Sequence, residues 1–193
     1  MGGLTVGKAN FLRQVLAQYG VDKPLFLNEF ALNCPENTSS CAAVTPEFLQ
    51  IQADQLVRSV SRGLANQIRG FAWYTLDGPG WRNGGLLDEY QDPRPSYYAY
   101  QNLIETMMGT RYLAPRNYGS GVEAYRFRRA ATNIDVLWAK EDQTLTVTFP
   151  KSKFIEARDR DGAVLTPVKV AGKYQLPVDF SPIYLIFDRP SKK

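Results

Sequence analysis

The spacing of apolar residues along the chain changes near residue 120, which divides the sequence into two parts. In the first part the spacing is that of a helix surface. One helical stripe comprises Phe11, Leu12, Val15, Leu16 and Tyr19. A second helix is predicted to begin at Thr45-Pro46-Glu47, where a capping hydroxyl, a proline and an acidic residue follow one another. A third is predicted to begin near Ser96 and to end at Gly109.

Two short apolar runs separate these helices and have the length of strands. They are Leu25–Phe30 and Gly70–Leu76. The order helix, strand, helix, strand, helix predicts parallel strands joined by right-handed crossovers. Parallel sheets are normally buried on both faces, and two strands cannot cover themselves. We therefore expect this half to be part of a larger sheet.

Beyond residue 120 the apolar residues alternate with period two, which predicts strands. The strand segments are Tyr125–Phe127, Ile134–Trp138, Leu145–Phe149, Val168–Val170, Tyr174–Val178 and Tyr184–Phe187. Asp161-Gly162 is a typical hairpin turn. About seven short strands at this spacing favour a small antiparallel β-sandwich. We therefore predict an α/β domain over residues 1–114 and an all-β domain over residues 115–193.

The composition narrows the chemistry that the chain can perform. None of its 193 residues is histidine and only two are cysteine, so a Ser-His-Asp or Cys-His mechanism is excluded within the chain. Acid–base chemistry must use Asp, Glu, Lys or Tyr, and we expect no metal and no cofactor. The net charge of +4 comes without a Lys/Arg stripe, and no apolar run is long enough to cross a bilayer. We therefore expect neither a nucleic acid nor a membrane partner.

The two cysteines, Cys34 and Cys41, stand close together in a polar segment. They would form a small disulfide in an exported protein and remain two free thiols in a reducing compartment. The sequence leaves both alternatives open.

Glu29 is the first candidate for catalysis, because it ends an otherwise apolar strand. Strand alternation places Leu25, Leu27 and Glu29 on one face of that strand. Catalytic groups of a (β/α)₈ barrel project from such strand ends. The alternative interpretation is an ordinary glutamate in a salt bridge.

The second strand and the loop after it supply the candidate substrate-binding residues. Trp73 offers a flat apolar surface suited to a sugar ring, or else it is a core residue. The glycine-rich loop that follows contains Asp77, Trp81, Arg82 and Asn83, and such loops build substrate sites. Trp81 is equally suited to a hydrophobic lid, and Asp77 to turn capping.

Several segments resemble clan A glycoside hydrolases, in the order expected for that clan. Lys23–Ala31 resembles the seventh barrel strand, which ends in the nucleophilic glutamate, although Ala31 replaces the usual glycine. Gly70–Tyr74 resembles the eighth strand, whose tryptophan lines the sugar site. Gly85–Asp88 and Pro93–Tyr100 are similar to the stretch that leads into the eighth helix. Pro182–Leu185 resembles a strand of the C-terminal β-sandwich found in such enzymes.

The resemblance implies a partial (β/α)₈ barrel, consisting of the last two βα units, followed by a small antiparallel β-sandwich. It implies retaining hydrolysis of a carbohydrate substrate with Glu29 as the nucleophile. The clan's acid/base stands in an Asn-Glu pair on the fourth strand, and the chain's one such pair is Asn28-Glu29. Glu29 as that acid is the alternative; we disfavour it because only one strand-and-helix unit then precedes the sandwich.

A complete barrel needs roughly 200 residues or more, so the resemblance also implies that the chain lacks its acid/base. We expect it to be inactive alone and to self-associate through exposed barrel edges. The full-length parent would be secreted or periplasmic. Two rival functions stay open: non-catalytic carbohydrate binding through Trp73, Trp81 and Trp138, and a structural role of the sandwich. Alternation of Trp138 with Ile134 and Val136 favours a core position for that indole.

Overall fold

The computed structural model of the protein describes residues 3–35 and 44–189. It divides into two compact units, Met1–Tyr97 and Tyr98–Lys193. The predicted boundary after residue 114, between an α/β and an all-β domain, stays a prediction. Across the described residues, the helices fall short of the length and apolar character that a membrane span requires.

The first unit alternates helices with parallel strands, as the sequence predicts. Its elements are α1 (Gly3–Gln18), β1 (Leu25–Phe30), α2 (Pro46–Ala65), β2 (Ile68–Trp73) and the start of α3 (Pro95–Met107). β1 and β2 form a two-stranded parallel sheet. The predicted start of α2 is confirmed, because the Thr45 hydroxyl accepts a hydrogen bond from the Phe48 N–H at 3.2 Å. No closed barrel is present among the described residues.

The register of β1 against β2 shifts before the carboxyl end of the strand. Leu27 pairs with Phe71 and Phe30 pairs with Trp73, with an irregularity between the two pairs. The Phe30 ring lies 6.0 Å from the Phe71 ring and 4.9 Å from the Trp73 ring. Phe71 and Trp73 lie on one face of β2, so their partners Leu27 and Phe30 lie on the same face of β1. The predicted strict alternation, which put Leu27 and Phe30 on opposite faces, is therefore wrong at the end of β1.

The apolar stripe of α1 is largely exposed, which differs from the expectation for a buried helix face. Phe11 is 63% exposed, Leu12 49% and Tyr19 78%. The cause is the size of the sheet, because two strands offer too little surface to cover the helix. Gly20, just beyond the end of α1, has a left-handed φ of 67°, the conformation that commonly ends a helix.

The second unit consists of two antiparallel sheets. Its strands are β3 (Arg111–Pro115), β4 (Val122–Arg129), β5 (Thr132–Ala139), β6 (Leu145–Pro150), β7 (Phe154–Arg158), β8 (Val164–Leu165), β9 (Val168–Val170), β10 (Lys173–Val178) and β11 (Ile183–Asp188). The larger sheet has the order β3-β4-β5-β11-β7-β8 and the smaller one β6-β10-β9. Both sheets contribute buried apolar residues to one core. The predicted antiparallel β architecture is therefore confirmed.

A charged network is centred on Asp135 of β5, which is 0% exposed. Its carboxylate accepts two hydrogen bonds from Arg126, each 2.6 Å long, and one from the Tyr118 hydroxyl at 2.5 Å. Arg116 lies 3.7 Å away. Burial raises the pKa of Tyr118, and the neighbouring Asp135 carboxylate raises it further. The network therefore joins two strands and the loop before them through one buried carboxylate.

Candidate active site

Glu29 lies at the carboxyl end of β1 with its side chain exposed. Among the described residues its carboxylate makes no hydrogen bond and no ion pair. It lines a groove of about 370 Å³ between α1 and β1, together with Lys8 and Leu12. The alternative interpretation, a glutamate held in a salt bridge, finds no support among the described residues.

Trp73 lies at the carboxyl end of β2 and is 8% exposed. Its indole N–H donates to the carbonyl oxygen of Gly84 at 2.7 Å. This N–H is therefore already hydrogen-bonded within the protein and does not face a ligand. The groove that Glu29 lines is not lined by Trp73. The structure thus brings Trp73 against the loop after β2, and it does not bring the indole into the groove of Glu29.

The loop after β2 folds back closely on itself, which explains its glycine pair. A Cβ atom on Gly84 would lie 2.2 Å from the Asn33 side-chain oxygen, and one on Gly85 would lie 2.1 Å from the Gly78 carbonyl oxygen. The Leu86 N–H donates to the carbonyl oxygen of Thr75 at 2.9 Å. Glycine is therefore required at position 85 for the backbone to approach so closely, and at position 84 it leaves room for the Asn33 side chain.

A 3₁₀ turn at Trp81–Asn83 presents three of the candidate binding residues together. The Trp81 indole is 62% exposed, and the guanidinium carbon of Arg82 lies 5.0 Å from its ring centroid. Arg82 and Asn83 have left-handed φ values of 50° and 57°. Such backbone conformations cost free energy in residues other than glycine, and they concentrate at functional sites.

This turn is fastened to the loop that follows β1. The Arg82 side-chain Nε donates to the carbonyl oxygen of Cys34 at 2.9 Å, and the Cys34 N–H donates to the carbonyl oxygen of Arg82 at 3.0 Å. Cys34 is buried and disulfide-bonded, and the chain's other cysteine, Cys41, lies outside the described residues. The loops that follow the two candidate strands are therefore held side by side.

A buried polar clamp holds both loops, and sequence reasoning missed it. Gln52 on α2 is 0% exposed; its amide nitrogen donates to the carbonyl oxygens of Leu32 at 3.0 Å and Asn83 at 2.9 Å. Its amide oxygen accepts from the Ser96 hydroxyl at 3.0 Å. Arg94, 6% exposed, also donates to the Asn83 carbonyl oxygen at 3.0 Å. The sequence signal that could have indicated this role is a polar residue, Gln52, one helical turn before Leu56 on an otherwise apolar face of α2.

Gln52→Leu is expected to lower the free energy of unfolding of the first unit by about 2–3 kcal/mol, because it leaves buried polar groups without their partner. Urea unfolding followed by tryptophan fluorescence measures the change. Gln55→Leu is the matched control on the same helix, since Gln55 is only half-buried. Equal effects of the two substitutions would contradict the clamp.

None of the other acidic residues described in the first unit lines the groove of Glu29. Asp77 is exposed. Asp88 accepts hydrogen bonds from the backbone N–H groups of Tyr90 and Asp92, at 2.8 Å and 2.9 Å, which is turn capping. Within residues 3–35 and 44–189, no three Cys, Asp or Glu side chains cluster in a way that would hold a metal ion.

Trp138 lies in β5 of the second unit and is 0% exposed. A sugar cannot reach a fully buried indole, so Trp138 is a core residue and not a glycan platform. The expectation drawn from its alternation with Ile134 and Val136 is confirmed.

The fold matches solved structures, among them glycoside hydrolases, over most of this chain. A family 39 glycoside hydrolase from Bacteroides cellulosilyticus WH2 aligns with a TM-score of 0.72 and 19% identity, covering 92% of this chain and 37% of that one. A GH30 endoxylanase from Clostridium papyrosolvens C71 aligns with a TM-score of 0.62 and 10% identity, covering 91% and 44%. A conserved exported protein from Bacteroides fragilis aligns with a TM-score of 0.64 and 12% identity, covering 96% and 43%.

No protein-family model and no curated protein matches the sequence. At these identities the structural matches show the fold, and the chain spans well under half the length of the proteins described above. The protein therefore has the fold of part of a glycoside hydrolase. The resemblance drawn from the sequence motifs is confirmed at the level of fold.

Proposed function

We propose that this chain is the nucleophile-bearing part of a retaining glycoside hydrolase, in which β1 and β2 correspond to the last two barrel strands. The observation that carries the proposal is the exposed carboxylate of Glu29 at the carboxyl end of a parallel strand. Catalytic groups of (β/α)₈ enzymes stand at such strand ends. The fold match to glycoside hydrolases supports the same function.

In the proposed reaction a Glu29 oxygen attacks the anomeric carbon of the sugar. The bond from that carbon to the leaving oxygen breaks, and the leaving oxygen takes a proton from a second carboxylic acid. That group, now a carboxylate, then removes a proton from water, which attacks the same carbon and releases Glu29. In retaining enzymes the two carboxyl groups stand about 5 Å apart. The second carboxyl group is proposed to come from barrel strands that this chain does not supply.

The loop after β2 is proposed to form part of the sugar-binding surface. Its exposed Trp81 indole suits the apolar face of a sugar ring, and Arg82 and Asn83 stand beside it in a backbone that the buried clamp holds. Asp77 is proposed to accept hydrogen bonds from sugar hydroxyl groups. Trp73, whose N–H is held by Gly84, is proposed to act as a buried floor beneath that loop.

The purified chain is expected to show no turnover of unactivated glycosides, because no second carboxyl group protonates the leaving oxygen. The measurement is product release from a panel of xylosides, glucosides and galactosides, assayed beside a complete family 30 xylanase as the positive control. Turnover by the chain that Glu29→Gln abolishes would contradict the missing acid/base. Turnover that Glu29→Gln leaves unchanged would contradict the nucleophile.

A further inference from the structure

Three arginines of the second unit lie together at one end of its larger sheet. Arg111 on β3 is the register partner of Arg128 on β4, so their side chains project side by side from one face of the sheet. Arg189 follows β11, and its N–H donates to the carbonyl oxygen of Ala131, in the turn between β4 and β5, at 2.8 Å. This hydrogen bond holds the third arginine at the same end of the sheet.

The positive charges of this arginine cluster act on one another. Desolvation lowers the pKa of Arg128, and the charges of Arg189 and Arg111 lower it further. Like charges directly opposite each other on neighbouring strands destabilise a sheet. The cluster by itself therefore destabilises the second unit, and an anion bound among the three guanidinium groups would remove that effect.

No acidic side chain among the described residues neutralises the arginine cluster. Its three guanidinium groups make no ion pair within residues 3–35 and 44–189, and the buried Nε of Arg128 has no hydrogen-bond partner there. The acid nearest in sequence, Asp188, pairs with Thr132, whereas Arg128 pairs with Asn133. Because neighbouring residues of a strand point to opposite faces, Asp188 lies on the other face of the sheet.

We propose that Arg111, Arg128 and Arg189 bind a tetrahedral oxyanion, a sulfate or phosphate group that is either free or esterified to a sugar. Such a group offers at least three oxygens, enough for three separate guanidinium donors, whereas a carboxylate offers two. Each guanidinium presents planar N–H donors that suit these oxygens, and it keeps its charge at physiological pH. The inference rests on the second unit alone, and it holds whether or not Glu29 attacks sugars.

Isothermal titration of the full chain tests the inference, with sodium sulfate, sodium phosphate and a sulfated disaccharide as separate titrants and sodium chloride holding the ionic strength constant. Sulfate is expected to bind once per chain with a dissociation constant of about 1 mM or less. Sodium acetate, the carboxylate control, is expected to bind at least about tenfold more weakly, because it has fewer oxygens and one charge. Tighter binding of the sulfated disaccharide than of sulfate identifies an esterified group as the ligand, and equal or weaker binding identifies the free ion.

Substitutions of the arginines separate a built site from diffuse positive charge. Arg128→Gln is expected to weaken sulfate binding about tenfold, which corresponds to one charge-assisted hydrogen bond. Arg128→Lys keeps the charge but loses the planar fork, and it is expected to weaken binding as well. Arg111→Gln, at an exposed position, gives the same test if Arg128→Gln alters the fold. Lys140→Gln, at an exposed lysine of the same unit, is the matched control and is expected to leave binding unchanged.

Thermal unfolding gives a second readout. In chloride alone, Arg128→Gln is expected to unfold at a higher temperature than the parent, because it removes a contact between like charges. Saturating sulfate is expected to raise the unfolding temperature of the parent more than that of the variant, by mass action on the bound state. A parent chain that binds no sulfate, acetate bound as tightly as sulfate, or sulfate bound equally by the parent, Arg128→Lys and the glutamine variants would overturn the inference.

Discussion

Asp135→Asn is expected to lower the free energy of unfolding of the β-rich unit by about 3–5 kcal/mol, because it removes the charge that neutralises a partly buried guanidinium. Asp135 is 0% exposed and accepts from Arg126 and Tyr118 at 2.5–2.6 Å. The asparagine amide would also direct donor hydrogens toward other donors.

Urea unfolding of the full chain measures this change, with the fluorescence of buried Trp138 reporting on the second unit. Asp142→Asn, at an exposed turn residue, is the matched control and is expected to change stability by less than about 0.5 kcal/mol. The double variant Arg126→Met/Asp135→Leu is expected to recover much of the loss, because it removes both charges together. A single Asp135→Asn variant as stable as the parent would contradict the network's role.

Local sequence signals predicted the elements of the fold well. The start of α2 follows from Thr45-Pro46-Glu47, because the hydroxyl, the ring and the carboxylate each act within one helical turn. Ile134, Val136 and Trp138 share one face of β5, as their alternation predicted, and all three are buried; Asp135 and Leu137 on the other face are buried as well. Such features need only neighbours along the chain.

The sequence did not predict features that depend on residues far apart along the chain. The register shift before Phe30 arises because its ring packs against Trp73, on a strand 43 positions later by residue number. The exposed stripe of α1 cannot be recognised from its periodicity, because the same pattern describes a helix that is covered by a sheet. Gln52 becomes a clamp only when Leu32, Asn83 and Ser96 converge on it.

The candidate site follows the same division between local and distant effects. A glutamate at a strand end was predictable at Glu29, and so was a turn-rich loop carrying Trp81. The contact of the Trp73 N–H with Gly84 was not, because it depends on how tightly the glycine loop folds back. The spacing of residues along the chain therefore predicts where the candidate residues lie, but not which groups their side chains contact.

The account's central claim is that Glu29 is a nucleophile toward an anomeric carbon. Fluorinated glycosides with a dinitrophenolate leaving group test it on the chain as it exists, because that group departs without a proton. The fluorine then slows release of the glycosyl group from the enzyme. We expect one covalent sugar per chain, attached to Glu29, after hours of incubation with the purified chain.

Peptide mass spectrometry identifies the labelled residue directly. Glu29→Gln is expected to reduce labelling by at least about 100-fold, since an amide is a far weaker nucleophile than a carboxylate. Glu47→Gln, at an exposed glutamate in the first turn of α2, is the matched control and is expected to label at the parent rate. A sugar attached to another carboxylate, labelling that survives Glu29→Gln, or a chain that stays unlabelled would contradict the claim.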